Sequence, residues 1–299
     1  MIAARSLGAP KPRLSSGCAL IDEFLGGGVP VGVVTEFAGE ATAGKSNLCL
    51  QLMTTVQWPA ACGGLHGSAL YLYTEAGKPF SRRLEAMSEG LLARATSVAA
   101  ATGAGAALPA GPAADRIFVQ DELGVPDDLL HCLHQARRLL EHPQDPDYPV
   151  RLIVLDSVAG VFRDDGNDAG DVGGRARQMF EAAALLKRFA DEFALAVVIT
   201  NQVADKVEDV VSVHQQGAHG ALRTSGRDVM PALGLAWANC VNQRIFLARL
   251  RSGLGADTGG DASVRREMSV LFSPTLPPRK LEFVIGRDGL RGVPASAGG

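Results

Sequence analysis

Apolar residues recur along this chain in two alternating rhythms. Short, almost wholly apolar runs appear at "VVTEFA" (Val33 to Ala38), "ALYLYTE" (Ala69 to Glu75), "RIFVQ" (Arg116 to Gln120), "RLIVLD" (Arg151 to Asp156) and "LAVVIT" (Leu195 to Thr200). Between them lie segments with helical spacing. "SNLCLQLMTTVQ" places Leu48, Leu52 and Val56 on one stripe, a helix begins near Pro79, and "PDDLLHCLHQARRLLEH" and "ARQMFEAAALLKRFADEF" (Ala176 to Phe193) follow. Strands without a polar face that alternate with helices predict an α/β fold, a mostly parallel sheet covered on both sides. After residue 240 the helical rhythm stops, and "NQRIFLARL", "REMSVLF" and "LEFVIG" predict an antiparallel extension of the same sheet. A single domain results, spanning residues 14–293.

The flanks and one internal stretch break the pattern. Residues 1–13 are Pro- and Ala-rich and predict a flexible lead-in to a short helix in "SSGCALIDEFLGGGVPVG"; residues 294–299 predict a disordered tail. "AAATGAGAALPAGPAA" (Ala99 to Ala114) has little side chain to bury and predicts a surface insertion.

Chemistry enters at "GEATAGKS", Gly39 to Ser46. A glycine, four residues and then Gly-Lys-Ser is the Walker A spacing, and here it follows a strand and opens a helix. Gly39, Glu40, Ala41, Thr42, Ala43 and Gly44 would turn backbone N–H groups toward phosphate, on the positive end of the helix dipole. Lys45 would reach the β/γ oxygens of ATP and Ser46 would ligate Mg²⁺. Asp156, at the end of "LIVLD", fits a Walker B carboxylate completing the Mg²⁺ site, or an aspartate that caps the following turn. Glu75 and Gln202 end two further strands at the same edge, where open α/β sheets bind ligands. Residue pattern alone leaves open whether Glu75 orients an attacking water or is a solvated strand end. Gln202 in "ITNQV" can report a γ-phosphate by hydrogen bonding. No NKxD-type guanine reader is present, which argues against a GTPase.

Composition limits the partners. The 299 residues are 46% hydrophobic with a formal net charge of −3, so no global basic field attracts nucleic acid. Five cysteines with no CxxC pair argue for buried thiols in a reducing compartment, against a disulfide framework or zinc site. No signal peptide or membrane-length apolar run occurs, so no membrane role is expected.

The series "GEATAGKS", "YLYTE", "LIVLDSVAGVFR", "ARQM", "FALAVVITNQV", "PALGLAWANCVNQR" and "FSPTLPP" resembles the RecA-like P-loop ATPase core of the eukaryotic recombinases over about residues 14–293. "LAWANCVN", "IFVQ" and "GGLHGSALYLYTE" resemble one recombinase paralogue in its plant form. The resemblance implies ATP at Gly39 to Ser46, Mg²⁺ on Ser46 and Asp156, water activation by Glu75 and γ-phosphate sensing by Gln202. It implies Arg83 beside the adenine, although one extra residue separates Arg83 from Glu75 relative to that family. It also implies a nuclear protein that acts with another recombinase paralogue, as a hetero-oligomer, and with the main strand-exchange recombinase. Repair of DNA double-strand breaks by homologous recombination, meiotic recombination included, is the setting.

The chain departs from a self-sufficient recombinase. The first loop that would face DNA, Asp164 to Gly174, reads "DDGNDAGDVGG", with aspartates at 164, 165, 168 and 171 and no cation or aromatic. Arg163, Arg175 and Arg177 flank it. The second, Val203 to Met230, sets Lys206, Arg223 and Arg227 against Asp205, Glu208, Asp209 and Asp228. Only 38 residues precede the phosphate loop, and no Phe occurs before Phe24 to supply a Phe-x-x-Ala hook. The expectation is a mediator subunit that binds DNA weakly alone and hydrolyses ATP slowly. The alternatives are an autonomous filament-forming ATPase and a non-hydrolysing scaffold.

Overall fold

The computed structural model describes residues 11–75, 81–102, 108–109, 111–163, 172–205, 222–250 and 264–294. Arg13–Leu14 (β1) pairs antiparallel with Val29–Pro30 (β2) around the helix Ala19–Phe24 (α1). Residues 1–10 lie outside the described residues, but the predicted flexible lead-in does not extend to Arg13. Its Nη1 donates to the carbonyls of Leu25 (2.9 Å) and Gly28 (3.0 Å).

An alternating series follows: Val34–Gly39 (β3), Lys45–Thr55 (α2), Ser68–Tyr73 (β4), Ser81–Thr102 (α3), Ile117–Gln120 (β5), Pro126–Glu141 (α4), Val150–Asp156 (β6), Val158–Phe162 (α5), Val172–Glu192 (α6) and Ala196–Asn201 (β7). Val203–Asp205 (β8), Leu222–Thr224 (β9) and Arg227–Pro231 (β10) form a small separate sheet, before Gly234–Ala238 (α7). Gln243–Arg249 (β11), Arg266–Phe272 (β12), Lys280–Gly286 (β13) and Gly289–Gly292 (β14) complete the main sheet. Its order is β14-β13-β12-β11-β3-β7-β6-β4-β5.

Period-two alternation explains why both faces of the central strands are apolar. Ala69, Tyr71, Leu152, Val154, Ala196 and Val198 enter the core beneath α2 and α3. Their neighbours Leu70, Leu72, Ile153, Leu155, Val197 and Ile199 enter the opposite core beneath α4 and α6. A buried cluster ties the strands together: the Glu36 carboxylate on β3 accepts from Asn201 Nδ2 (2.7 Å), from Trp237 Nε1 (3.1 Å) and from Arg244 Nε. A charge with no solvent access is tolerated because it is paired and hydrogen-bonded.

Four differences from the sequence reading have physical causes. The first of the late strands, β11, is parallel to β3, and only β12 to β14 run antiparallel; β14 itself is an added strand too short to show periodicity. Helix α3 runs to Thr102, into the predicted insertion, because alanine has the highest helix propensity. Residues 103–107 and 110 of that insertion lie outside the described residues, while Leu108 packs against the core. Helix α6 begins at Val172 rather than Ala176, despite two glycines of poor helix propensity, and lies against α4, where Gln178 donates to Asp127 (2.5 Å). Cys49, Cys132 and Cys240 are buried as expected, whereas Cys18 and Cys62 are only partly so.

Candidate nucleotide-binding site

Strand β3 delivers the chain into the loop 39–44 and α2 carries it away. Two glycines are dictated by space. A Cβ at Gly39 would lie 2.4 Å from the Leu247 carbonyl oxygen, and Gly44 has φ +114° with Ile285 in the way of any side chain. No side chain caps α2, so its first N–H groups and its dipole face outward, an arrangement suited to an anion. Ser46 is exposed in that first turn.

Lys45 is buried and folds back over the loop. Its Nζ donates to the carbonyls of Gly39 (2.8 Å) and Glu40 (2.9 Å), leaving one of three donor positions. Burial pulls its pKa below the usual lysine value, opposed by the negative charges of Asp156 and Glu75. A desolvated ammonium aimed at this loop attracts an anion more strongly than a solvated one.

Asp156, Glu75 and Gln202 meet the loop at the carboxyl ends of β6, β4 and β7, as the sequence predicts. Asp156 is buried, with Oδ2 accepting from the Tyr71 hydroxyl (2.9 Å) and Oδ1 from the Thr200 hydroxyl (2.5 Å). Both donors fix the carboxylate while leaving each oxygen a second lone pair. Glu75 is exposed just beyond β4, and its Oε1 accepts from Ser157 Oγ (2.8 Å) and Gln202 Nε2 (2.8 Å). Gln202 is aimed from behind: Asn201 Nδ2 donates to the Ala232 carbonyl (3.0 Å), and the Ala232 N–H donates to the Gln202 carbonyl (2.8 Å). Gln202 therefore sits between Glu75 and the end of β10.

Arg83 lies on α3 at the rim of a cavity of about 580 Å³, shared with Thr42 and Asn47 of the loop and helix, and with Arg266, Ile285 and Arg287. Its guanidinium donates to Asn47 Oδ1 (2.8 Å) and to the carbonyls of Gly286 (2.8 Å) and Arg287 (3.0 Å). The cavity adjoins the 39–44 loop at Thr42.

The five arginines expected near DNA divide into two groups. Arg163 and Arg177 are exposed at the α5–α6 junction, and Arg175 Nη1 donates to the Arg163 carbonyl (3.4 Å). The other two are half or more exposed and carry ion pairs, Arg223 within the small sheet and Arg227 both there and to the 39–44 loop. Arg223 bonds Asp228 (2.9 Å); Arg227 bonds Asp205 (2.9 Å) and Glu40 (3.1 Å). Residues 164–171, with the four aspartates, and 206–221 lie outside the described residues; Val172 to Gly174, expected in the loop, are helical.

Tyr71, Thr200, Ser157, Asn47 and the Glu40 side chain all touch this site without having been singled out. Tyr71 and Thr200 read as ordinary core positions of apolar strands. Only the place of Ser157, directly after Asp156, was a visible signal.

A twisted parallel sheet with a phosphate loop after its central strand, and two carboxylates and a glutamine at neighbouring strand ends, defines a RecA-like ATPase core. The Rad51 family model matches residues 12–99 and 128–293, and the chain belongs to that family. It is 37% identical over 295 residues to the DNA repair protein XRCC3 homolog of Arabidopsis thaliana, spanning 95% of this chain and 94% of that protein. It is 33% identical to the DNA repair protein XRCC3 of Mus musculus, over 95% of this chain and 76% of that protein. Identity to the DNA repair protein RAD51 homolog B of Zea mays is 30%, over 94% and 70%. XRCC3 is the paralogue that "LAWANCVN", "IFVQ" and "GGLHGSALYLYTE" resemble.

Proposed function

We propose that the chain is an ATP-binding recombinase paralogue, a mediator subunit in homologous-recombination repair of double-strand breaks. The observation that carries this reading is the convergence of Lys45, Ser46, Asp156, Glu75 and Gln202 on one sheet edge, in a chain whose relatives are DNA repair proteins. The loop N–H groups and Lys45 hold the β- and γ-phosphates of ATP, and Arg83 with the adjoining cavity receives the adenine side. Ser46 and Asp156 would hold Mg²⁺, which would supply positive charge to the phosphate oxygens. Glu75 accepts hydrogen bonds through Oε1 and keeps Oε2 for the attacking water. Turnover is slow in the isolated chain and depends on DNA.

The mediator reading rests on charge. Arg223 and Arg227 are paired internally, and the four aspartates oppose phosphate between Arg163 and Arg175. The protein acts in the nucleus with a second recombinase paralogue, assisting the main strand-exchange recombinase, in meiotic as well as somatic cells. The test is ATP affinity of the folded chain and of Lys45→Ala, with ATPase measured on the isolated subunit and on the complex co-purified from its source cell. Loss of affinity in Lys45→Ala supports the site; equal affinity in a folded variant refutes it.

A further inference from the structure

Glu40 belongs to the phosphate loop, yet its carboxylate is buried and bonded elsewhere. At 8% exposure, Oε1 accepts from Thr224 Oγ1 (2.7 Å) and Ser225 Oγ (2.5 Å), and Oε2 from Arg227 Nη2 (3.1 Å). These three donors form the turn of the β9–β10 hairpin, whose Ser225 and Gly226 both have positive φ. The same residue is tied to the lysine through its backbone, since the Glu40 carbonyl accepts from Lys45 Nζ. One residue thus joins the ammonium to the hairpin, through its peptide on one side and its carboxylate on the other.

The hairpin has a second handle on the site. Strand β10 pairs with β8, and β8 follows Gln202 directly, with Pro231 opposite Val203. It is also anchored to the main sheet at the turn, where Ser225 N donates to the Arg249 carbonyl (3.1 Å) and Arg249 N donates to Thr224 Oγ1 (3.0 Å). The outer side of the hairpin carries Arg223 paired with Asp228, at the end of the segment expected to face DNA.

We infer that Glu40 is a positioning residue that makes the β9–β10 hairpin respond to what Lys45 holds. This rests on the reading of the loop as an ATP site. One donor position of Lys45 is open, so the β- and γ-phosphate oxygens that it would reach take that one and compete with the Gly39 and Glu40 carbonyls for a second. The Glu40 carbonyl keeps the Ala43 N–H (3.2 Å), but the Gly39 carbonyl loses its lysine donor, and the 39–40 peptide turns toward another partner because a buried carbonyl without one is unfavourable. Its side chain is held at both carboxylate oxygens, so the turn at Thr224 to Arg227 moves with it or lets go. Gln202 and Glu40 then act on opposite ends of one hairpin, and ATP alters it from both.

The test is hydrogen–deuterium exchange of residues 222–231 in the full chain, with and without Mg²⁺ and a non-hydrolysable ATP analogue. Each protein is saturated according to its own measured affinity. The variants are Glu40→Gln, Thr224→Val with Ser225→Ala, and the milder Ser225→Ala alone in the partly exposed turn. Wild type should show about a fivefold or larger change in hairpin exchange on adding the analogue. Glu40→Gln and the double variant should lose most of that dependence, Ser225→Ala part of it, and the hairpin variants should bind the analogue as wild type does. A merely structural role would shift exchange equally with and without nucleotide. A wild-type response preserved in the variants, or absent in a wild type that binds the analogue, overturns the inference alone. A wild type that binds no analogue overturns the ATP-site reading as well.

Discussion

Replacing Tyr71 by Phe removes one hydroxyl from a fully buried position and changes almost nothing else. That hydroxyl donates to Asp156 Oδ2 at 2.9 Å, and the carboxylate is only 2% exposed. Burial first, and then the charge of Asp156, raise the Tyr71 pKa far above the usual phenol value, so the hydroxyl is a protonated donor at neutral pH. The variant leaves a buried charged oxygen with one donor fewer. A hydrogen bond to a charged group contributes about 1.5–3 kcal/mol. For a domain of this size that corresponds to a Tm lowered by roughly 2–5 °C. Thr200 Oγ1 holds the other oxygen of the same carboxylate at 2.5 Å, so Tyr71→Phe and Thr200→Val share a partner and should couple. The assay is thermal unfolding of wild type, both single variants and the double, followed by the Mg²⁺ dependence of ATP binding in each. A Tyr71→Phe protein that melts with wild type, or two variants whose effects simply add, would refute the claim that these hydroxyls jointly fix Asp156.

Glu75→Gln should retain ATP binding and slow hydrolysis by about 10²–10⁴-fold, measured in single-turnover assays, because orienting water acts only in the transition state. Gln202→Ala should bind ATP normally yet lose ATP-dependent proteolytic protection of residues 203–230; protection that survives would remove Gln202 from the sensing role. Changing Asp164, Asp165, Asp168 and Asp171 together to Asn should tighten single-stranded DNA binding and steepen its salt dependence, read by a salt titration, since net phosphate contacts increase. Burial pulls the Glu40 carboxyl up, but hydrogen bonds from Ser225, Thr224 and Arg227 and the charge of Arg249 outweigh it, leaving its pKa below the ordinary 4.5. With a lowered folded value, its stabilisation is present above pH 4.5 and is lost as pH falls through the lower value. The Tm gap between wild type and Glu40→Gln should therefore be widest near neutrality and close in acid.

The core of this molecule was legible in one dimension because its determinants are local. Alternation along Leu152 to Leu155 or Ala196 to Ile199 needs only the pleat of one strand, and the phosphate loop needs only consecutive backbone around Gly39 and Gly44. That Asp156, Glu75 and Gln202 share an edge followed from a rule about parallel sheets, with no knowledge of strand order. Strand order decided the rest. With β6 flanked by β4 and β7, the hydroxyls of Tyr71 and Thr200 close on Asp156 from either side, 85 and 44 residues away along the chain. With β11 beside β3, the 222–231 hairpin comes to rest on Glu40, and Arg227 spends its charge on Glu40 and Asp205. A hydrogen bond is satisfied within about 3 Å, whichever residues the fold brings there, and side-chain pattern carries no record of those partners. Periodicity thus specified which elements form; packing alone chose which polar groups meet.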